Sequence, residues 1–250
     1  MTTIHCRFFL VVSSLLLGFS TKTASATVFN LHNNCPYTVW PGSLTANGEP
    51  LLLQSNSILP PGDSITLNPP AGWSGRFWAR TGCNFNTNGQ GNCSTGDCGG
   101  LSCTGGGLPP VSLVEFTLNG AGRMDFYDVS LVDGYNVGIG VKPINGGTGN
   151  CEYAGCVEDL NGSCPPELQV IDPAQEGVVV ACKSACAAFN RPEYCCSEDH
   201  ATPETCSPTE YSELFKNACP SAYSYAYDDA SSTCTCVGSD YLITFCPSAV

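Results

Sequence analysis

The segment Trp78-Ala79-Arg80-Thr81-Gly82-Cys83 leads into Gly89-Gln90-Gly91-Asn92-Cys93-Ser94-Thr95-Gly96-Asp97-Cys98-Gly99-Gly100. Its first half belongs to an alternating run, Arg76 to Arg80, of the kind that lies half-buried in a sheet. The second half changes character. Residues 81–110 contain four cysteines, abundant glycine and almost no large aliphatic side chain. A segment so poor in apolar surface cannot offset the entropy of ordering its backbone by burial alone, so it reads as a loop region held by disulfides.

Outward from that loop, short β-prone segments recur between Gly, Pro and Asn clusters. They are Thr27–Leu31, Tyr37–Trp40, Ser64–Leu67 after the turn signal Pro60-Pro61-Gly62-Asp63, Val111–Leu118, and Tyr241–Phe245. This rhythm predicts a mainly β chain built as an antiparallel sandwich, with disulfide-rich loops and a short helical subdomain. The expected division is a sandwich of residues 27–80, 111–157 and 220–250, a small disulfide loop at 81–110, and an acidic, helix-containing, disulfide-rich part at 158–219. That last stretch carries eleven acidic and three basic residues, a net −8. Within it Glu176–Phe189 is the expected helix, with Cys182 and Cys186 four apart on one face and Asn190-Arg191-Pro192 ending it.

The N-terminus reads as an export leader. Arg7 precedes an apolar run from Phe8 to Phe19, broken only by Ser13, Ser14 and Gly18, and Ala24-Ser25-Ala26 offers a small-x-small cleavage pattern. The run is shorter than the roughly 20 residues a bilayer requires, so residues 1–26 are read as a signal peptide and the mature start as Thr27. Cleavage removes Cys6, Arg7 and Lys22, leaving 17 cysteines and a formal charge of −15. So many cysteines in a secreted chain mean disulfides, and an odd number leaves one unpaired. The charge excludes nucleic-acid binding through phosphate neutralisation and attraction to anionic lipid, so no stable membrane insertion is expected. Neutral polymers and cations are the permitted partners. Only His32 and His200 remain as histidines and no paired C-x-x-C spacing occurs, so neither metal nor cofactor is expected.

The glycine-rich block, together with Val180-Ala181-Cys182-Lys183-Ser184-Ala185-Cys186, Glu193-Tyr194-Cys195-Cys196, Cys206-Ser207-Pro208-Thr209-Glu210-Tyr211 and Ile243-Thr244-Phe245-Cys246-Pro247, resembles the thaumatin-like proteins of plant pathogenesis-related group five. The resemblance spans essentially the whole mature chain. It implies disulfides Cys35-Cys246, Cys83-Cys93, Cys98-Cys103, Cys151-Cys236, Cys156-Cys219, Cys164-Cys182, Cys186-Cys195 and Cys196-Cys206. Cys234 is left over where relatives usually carry phenylalanine. It lies two residues before Cys236 on the same strand face, so it either competes for Cys151 or packs as a small buried hydrophobe, and the second is preferred.

The same resemblance implies an acidic cleft between the sandwich and the helix-bearing part. Matched motif by motif, it holds Arg76, Glu115, Asp128, Asp133 and Asp228, the last favoured over Asp229. Independently, Val114, Phe116 and Leu118 share one strand face, which puts Glu115 on the other. Asp128 and Asp133 can both face a cleft only if the strand ends between them, as the turn signal Asp133-Gly134 allows. Two carboxyls with separated pKa values are what glycoside hydrolysis requires, and the resemblance points to Glu115 as acid with Asp133 as its partner. Tyr223, Tyr225 and Tyr227 alternate and would share a strand face beside Asp228, either exposed as a row that stacks on sugar rings or, preferred, buried as ordinary sandwich core. Asn92-Cys93-Ser94 and Asn161-Gly162-Ser163 are glycosylation sequons, with Asn161 preferred because Asn92 adjoins a disulfide cysteine.

Taken with the resemblance, these residues imply a secreted, monomeric plant defence protein of the apoplast and cell wall. Its acidic cleft would bind fungal β-1,3-glucan. The alternatives are a weak endo-β-1,3-glucanase using the cleft carboxylates, and inhibition of a pathogen's enzyme by surface contact.

Overall fold

Strand segments that alternate one buried with one half-exposed residue pair into two five-stranded sheets in this computed structural model, which describes residues 27–46, 51–53, 57–103 and 105–248. The expected leader, residues 1–26, lies outside the described residues.

The first sheet runs Ala154–Gly155, Ile139–Ile144, Asp240–Phe245, Phe29–Asn33, Ser64–Leu67 across its width. Its central pair, Phe29–Asn33 against Asp240–Phe245, is parallel, with Phe29 opposite Tyr241 and Asn33 opposite Phe245. Parallel neighbours need no tight turn between them, and these come from opposite ends of the chain. Both strands therefore leave the sheet at the same edge, where Cys35 is bonded to Cys246 with Cα atoms 5.0 Å apart. The second sheet runs Cys234–Cys236, Asp125–Ser130, Leu113–Thr117, Ser74–Arg80, Trp40–Thr45, antiparallel throughout. The strand expected at Tyr37–Trp40 begins only at Trp40, because Val39 is taken up in a single bridge to Leu59.

The sheets meet on their apolar faces. Phe29 lies 5.4–5.5 Å, ring centre to ring centre, from Phe77 and Trp73, and Phe116 lies 5.0 Å from Tyr241. Such aromatic contacts contribute about 0.5–1.5 kcal/mol each beyond the area they bury. The polar tip of Tyr241 is satisfied across the interface, its hydroxyl donating to Asp125 Oδ2 at 2.8 Å.

On its other face the second sheet carries a smaller core of Trp78, Cys98, Val111 and Leu113. The glycine-rich loop covers it. Trp78 Nε1 donates to Gly96 O, and buried Arg80 donates to Trp40 O, Gly100 O and Leu101 O. Gly96 adopts φ +64, and a Cβ there would sit 2.5 Å from Ala79 O. This approach is open only to glycine.

Seven further disulfides join Cys83–Cys93, Cys98–Cys103, Cys151–Cys236, Cys156–Cys219, Cys164–Cys182, Cys186–Cys195 and Cys196–Cys206. Cys234 is unbonded and buried.

Two expectations are corrected here. The helix expected over Glu176–Phe189 is only Ala185–Phe189, capped by Ser184 and ended at left-handed Asn190. The preceding Val179–Cys182 is a strand against Gln169–Ile171. Gly177 turns the chain at φ +81, and three successive valines favour extended backbone over helix. Cys182 and Cys186 thus belong to different elements. A longer helix, Glu210–Ala218, stands where none was expected, started by a capping box between Thr209 and Ser212. The second correction concerns Tyr223–Tyr227, which is not a strand. Tyr223 makes one bridge to Ser130, after which Asp228 Oδ2 accepts from both the backbone and the side chain of Ser224, closing a turn.

Candidate functional site

Three adjacent strands bring Arg76, Glu115 and Asp128 into one row. Arg76 pairs with Glu115, and Glu115 pairs with Asp128. Residues directly opposite in antiparallel strands point to the same face. Val114, Phe116, Tyr127 and Val129 fill the core between the sheets, so alternation sends the charged row outward. The row lines a cavity of ≈ 340 Å³ together with Leu44, Thr45 and Phe126. No residue of 158–219 lines it. The concavity thus lies on the sheet's outer face rather than between the sandwich and the acidic part.

Asp133 approaches from beyond the strand end. The strand stops at Ser130, Gly134 N–H closes a turn onto Leu131 O at 2.9 Å, and Asp133 O accepts from Val111 N–H at 3.2 Å. Asp133 does not line the cavity, but its charge reaches Glu115. The strand break between Asp128 and Asp133 is what permits both to lie near Glu115.

The electrostatics follow from depth. Burial raises the Glu115 pKa, Arg76 opposes the rise, and Asp133 adds to it. Asp128 is deeper. Burial first, then the charges of Glu115 and Asp229, push its pKa up to about 8, and its Oδ1 is buried with no hydrogen-bond partner among the described residues. A neutral carboxyl is the cheaper form at such a position. The Arg76 guanidinium is backed by the glycine loop, since a Cβ on Gly106 would lie 2.7 Å from its Nη2.

Asp228 stands elsewhere. Its side chain, 11 % exposed, pairs with Lys216 Nζ at 2.9 Å, and it accepts from Ser224 and Ser231. The aspartate whose charge acts on Asp128 is Asp229, contrary to the preference drawn from the motif. The tyrosines also disperse. Tyr223 donates to Asp229 Oδ1 and Tyr227 to Ala201 O, so they form no common stacking face. The aromatic ring beside the carboxylates is Phe126, two residues before Asp128 on the same strand face, a period-2 relation readable in Asp125-Phe126-Tyr127-Asp128.

The two sequons differ in exposure. Asn161 turns its amide nitrogen inward, donating to Asn136 O at 3.1 Å and Val180 O at 3.4 Å. Asn92 is exposed on the small hairpin that pairs Asn84 with Asn92. No cluster of three or more His, Cys, Asp or Glu among the described residues is placed to hold a metal ion.

A row of one guanidinium and carboxyls of unequal acidity, beside an aromatic ring, can hydrogen-bond the hydroxyls of a neutral sugar and stack against its ring. Comparison with known proteins identifies the family. A family model described as the Thaumatin family matches residues 33–247. Pathogenesis-related protein 5 of Arabidopsis thaliana is 58% identical over 246 residues, covering 98% of each chain. Pathogenesis-related thaumatin-like protein 3.5 of Cryptomeria japonica is 57% identical over 242 residues, 96% of this chain and 98% of its own. A Prunus avium protein named glucan endo-1,3-beta-glucosidase is 50% identical over 241 residues, 95% of this chain and 97% of its own.

Proposed function

This chain belongs to the thaumatin family, and from that premise we propose that it is a secreted plant defence protein whose acidic groove binds fungal β-1,3-glucan in the apoplast. The observation that carries the reading is the Arg76–Glu115–Asp128 row opening into a groove of ≈ 340 Å³ beside Phe126. A neutral polysaccharide suits it. Sugar hydroxyls donate to the carboxylates and accept from Arg76, while Phe126 offers an apolar surface to a ring face. An anionic polymer would be repelled by the chain's net acidity. The test is retention on insoluble β-1,3-glucan of the wild type and of Glu115→Gln in parallel. Wild type should be retained and the variant released more readily, and equal behaviour of the two would overturn the reading.

The name of the Prunus avium relative favours a second reading, weak endo-β-1,3-glucanase activity. Glu115, its proton held by burial and by Asp133, would protonate the departing glycosidic oxygen. Asp133, outside the cavity lining but close enough for its charge to act on Glu115, would be the partner carboxylate of the pair. New reducing ends released from linear β-1,3-glucan by the wild type and not by Glu115→Gln would support it.

A further inference from the structure

A second, larger cavity of ≈ 700 Å³ lies at the far end of the strand pair that carries Arg76. In that pair Leu44 stands opposite Arg76 and Trp40 opposite Arg80, four residues or roughly 13 Å apart. The glycine-rich loop seated on Trp78 lies between the two ends, and no described residue lines both cavities. We infer that this cavity binds a small protonated amine carried on a flat or apolar body.

Its size falls within the range of small-molecule sites. Its walls are largely apolar, with the rings of Tyr37, Trp40 and Tyr135 and the half-exposed Val178 among them. Glu158, Asp159 and Asp172 also line it, and its described lining contains no Lys, Arg or His. Aromatic faces and uncompensated carboxylates attract the same kind of ligand, a cation with an apolar body. The field of Asp159 extends into the site, because after burial it is the charge that raises the phenol pKa of both Tyr37 and Tyr135.

The walls are also tied to one another. Asn161 Nδ2 donates to Asn136 O and Val180 O, its backbone N–H donates to Asp159 Oδ1, and Tyr135 O–H donates to Glu158 O. A site fixed in this way orders little on binding, so more of the contact energy appears as affinity. An anion of the same shape meets three carboxylates without a counter-charge, and a neutral glucan brings no charge to balance them. The inference is independent of the reading proposed for the acidic groove.

Isothermal titration of the secreted protein with tryptamine, indole-3-propionate and a linear β-1,3-glucan oligosaccharide tests it. Tryptamine should bind, and indole-3-propionate, with the same ring and opposite charge, should not. The double variant Glu158→Gln/Asp159→Asn keeps the Asp159 acceptor for Asn161 N–H and should weaken tryptamine about 10-fold, equivalent to about 1.4 kcal/mol. Val178→Arg, at a partly exposed wall position, should abolish binding with an unchanged circular dichroism spectrum. Equal binding of both indoles, tryptamine binding insensitive to Val178→Arg, or displacement of tryptamine by the glucan oligosaccharide would each overturn the inference.

Discussion

Asp128 stands directly opposite Glu115 in antiparallel register, the deeper carboxyl of the pair carrying the higher proton affinity. Burial and then the facing Glu115 charge both favour the protonated form of Asp128.

That arrangement sets a pH dependence of stability. Asp128 has a folded pKa of about 8 against an ordinary value of 3.8. Between those values the folded state binds more protons than the unfolded one, so stability falls as pH rises through that window. Asp128→Asn is neutral at every pH and should flatten this slope. Guanidinium unfolding at pH 4, 6 and 8 should find the variant more stable than wild type at pH 8 by about 2–4 kcal/mol and little different at pH 4. A parallel slope in both proteins would place the titration elsewhere.

Glu115 and Asp128 both line the groove, Asp128 the more deeply buried, so their substitutions should differ in kind. Glu115→Gln removes a charged acceptor from the sugar and should weaken glucan retention about 10-fold, in line with about 1.5–3 kcal/mol for a hydrogen bond to a charged group. Thermal stability should be unchanged or slightly raised, because a partly buried charge is lost. Retention measured across NaCl concentrations checks that hydrogen bonding, not long-range charge, is responsible. Neutral-ligand binding should vary little with salt.

The sandwich strands are readable from period-2 alternation between turn residues, as at Ser64–Leu67, and the face of Glu115 from Val114, Phe116 and Leu118. What escaped the sequence has physical causes. The three valines at 178–180 sit inside a helix-like spacing, but Gly177 and pairing with Gln169–Ile171 make them a strand. The helix Glu210–Ala218 was present as Tyr211, Leu214, Phe215 and Ala218 at spacings of three and four, behind the Thr209 cap. The choice between Asp228 and Asp229 depends on Lys216, twelve residues away, which captures Asp228. The larger cavity joins residues from Pro36 to Pro247, a convergence that local pattern does not encode.

Glycosylation should follow exposure. Asn92 is open to solvent, whereas the nitrogen of Asn161 is committed to Asn136 O and Val180 O. Peptide mass mapping of the folded protein should place any glycan on Asn92 and none on Asn161. Asn161→Gln should destabilise the fold where Asn92→Gln does not, since its loss leaves two carbonyls without their donor.

Cys234 is 6 % exposed, and burial raises its thiol pKa. Thiolate is the reactive form, so a maleimide reagent at pH 7 should leave the native protein unlabelled. After denaturation without reductant it should add one label per mature chain. Cys234→Phe, which places a far larger side chain in that buried pocket, separates two outcomes. A folded, unlabelled product would mean that the pocket between Tyr127 and the neighbouring strands can open, and a destabilisation of about 1–3 kcal/mol would mean that it is closely filled.

Arg80 is the charged residue on which the glycine-rich loop depends. At 2 % exposure it donates to three backbone carbonyls, two of them in the loop at Gly100 and Leu101 and one on the neighbouring strand at Trp40. Asp97 supplies the nearby opposite charge and itself accepts from Cys93 and Gly99 N–H. Arg80→Ala leaves these carbonyls without donors and Asp97 without its counter-charge, which together cost about 3–5 kcal/mol. The disulfides Cys83–Cys93 and Cys98–Cys103 are local and do not tie the loop to the sheet. The loop should therefore loosen while the sandwich persists. Limited proteolysis should cut the variant within residues 81–110 and spare the wild type, with a lowered melting temperature. Arg80→Lys retains the charge but not the three-way fork of donors, and should fall between the two. Cleavage outside that segment, or none, would show that the loop is held by something other than Arg80.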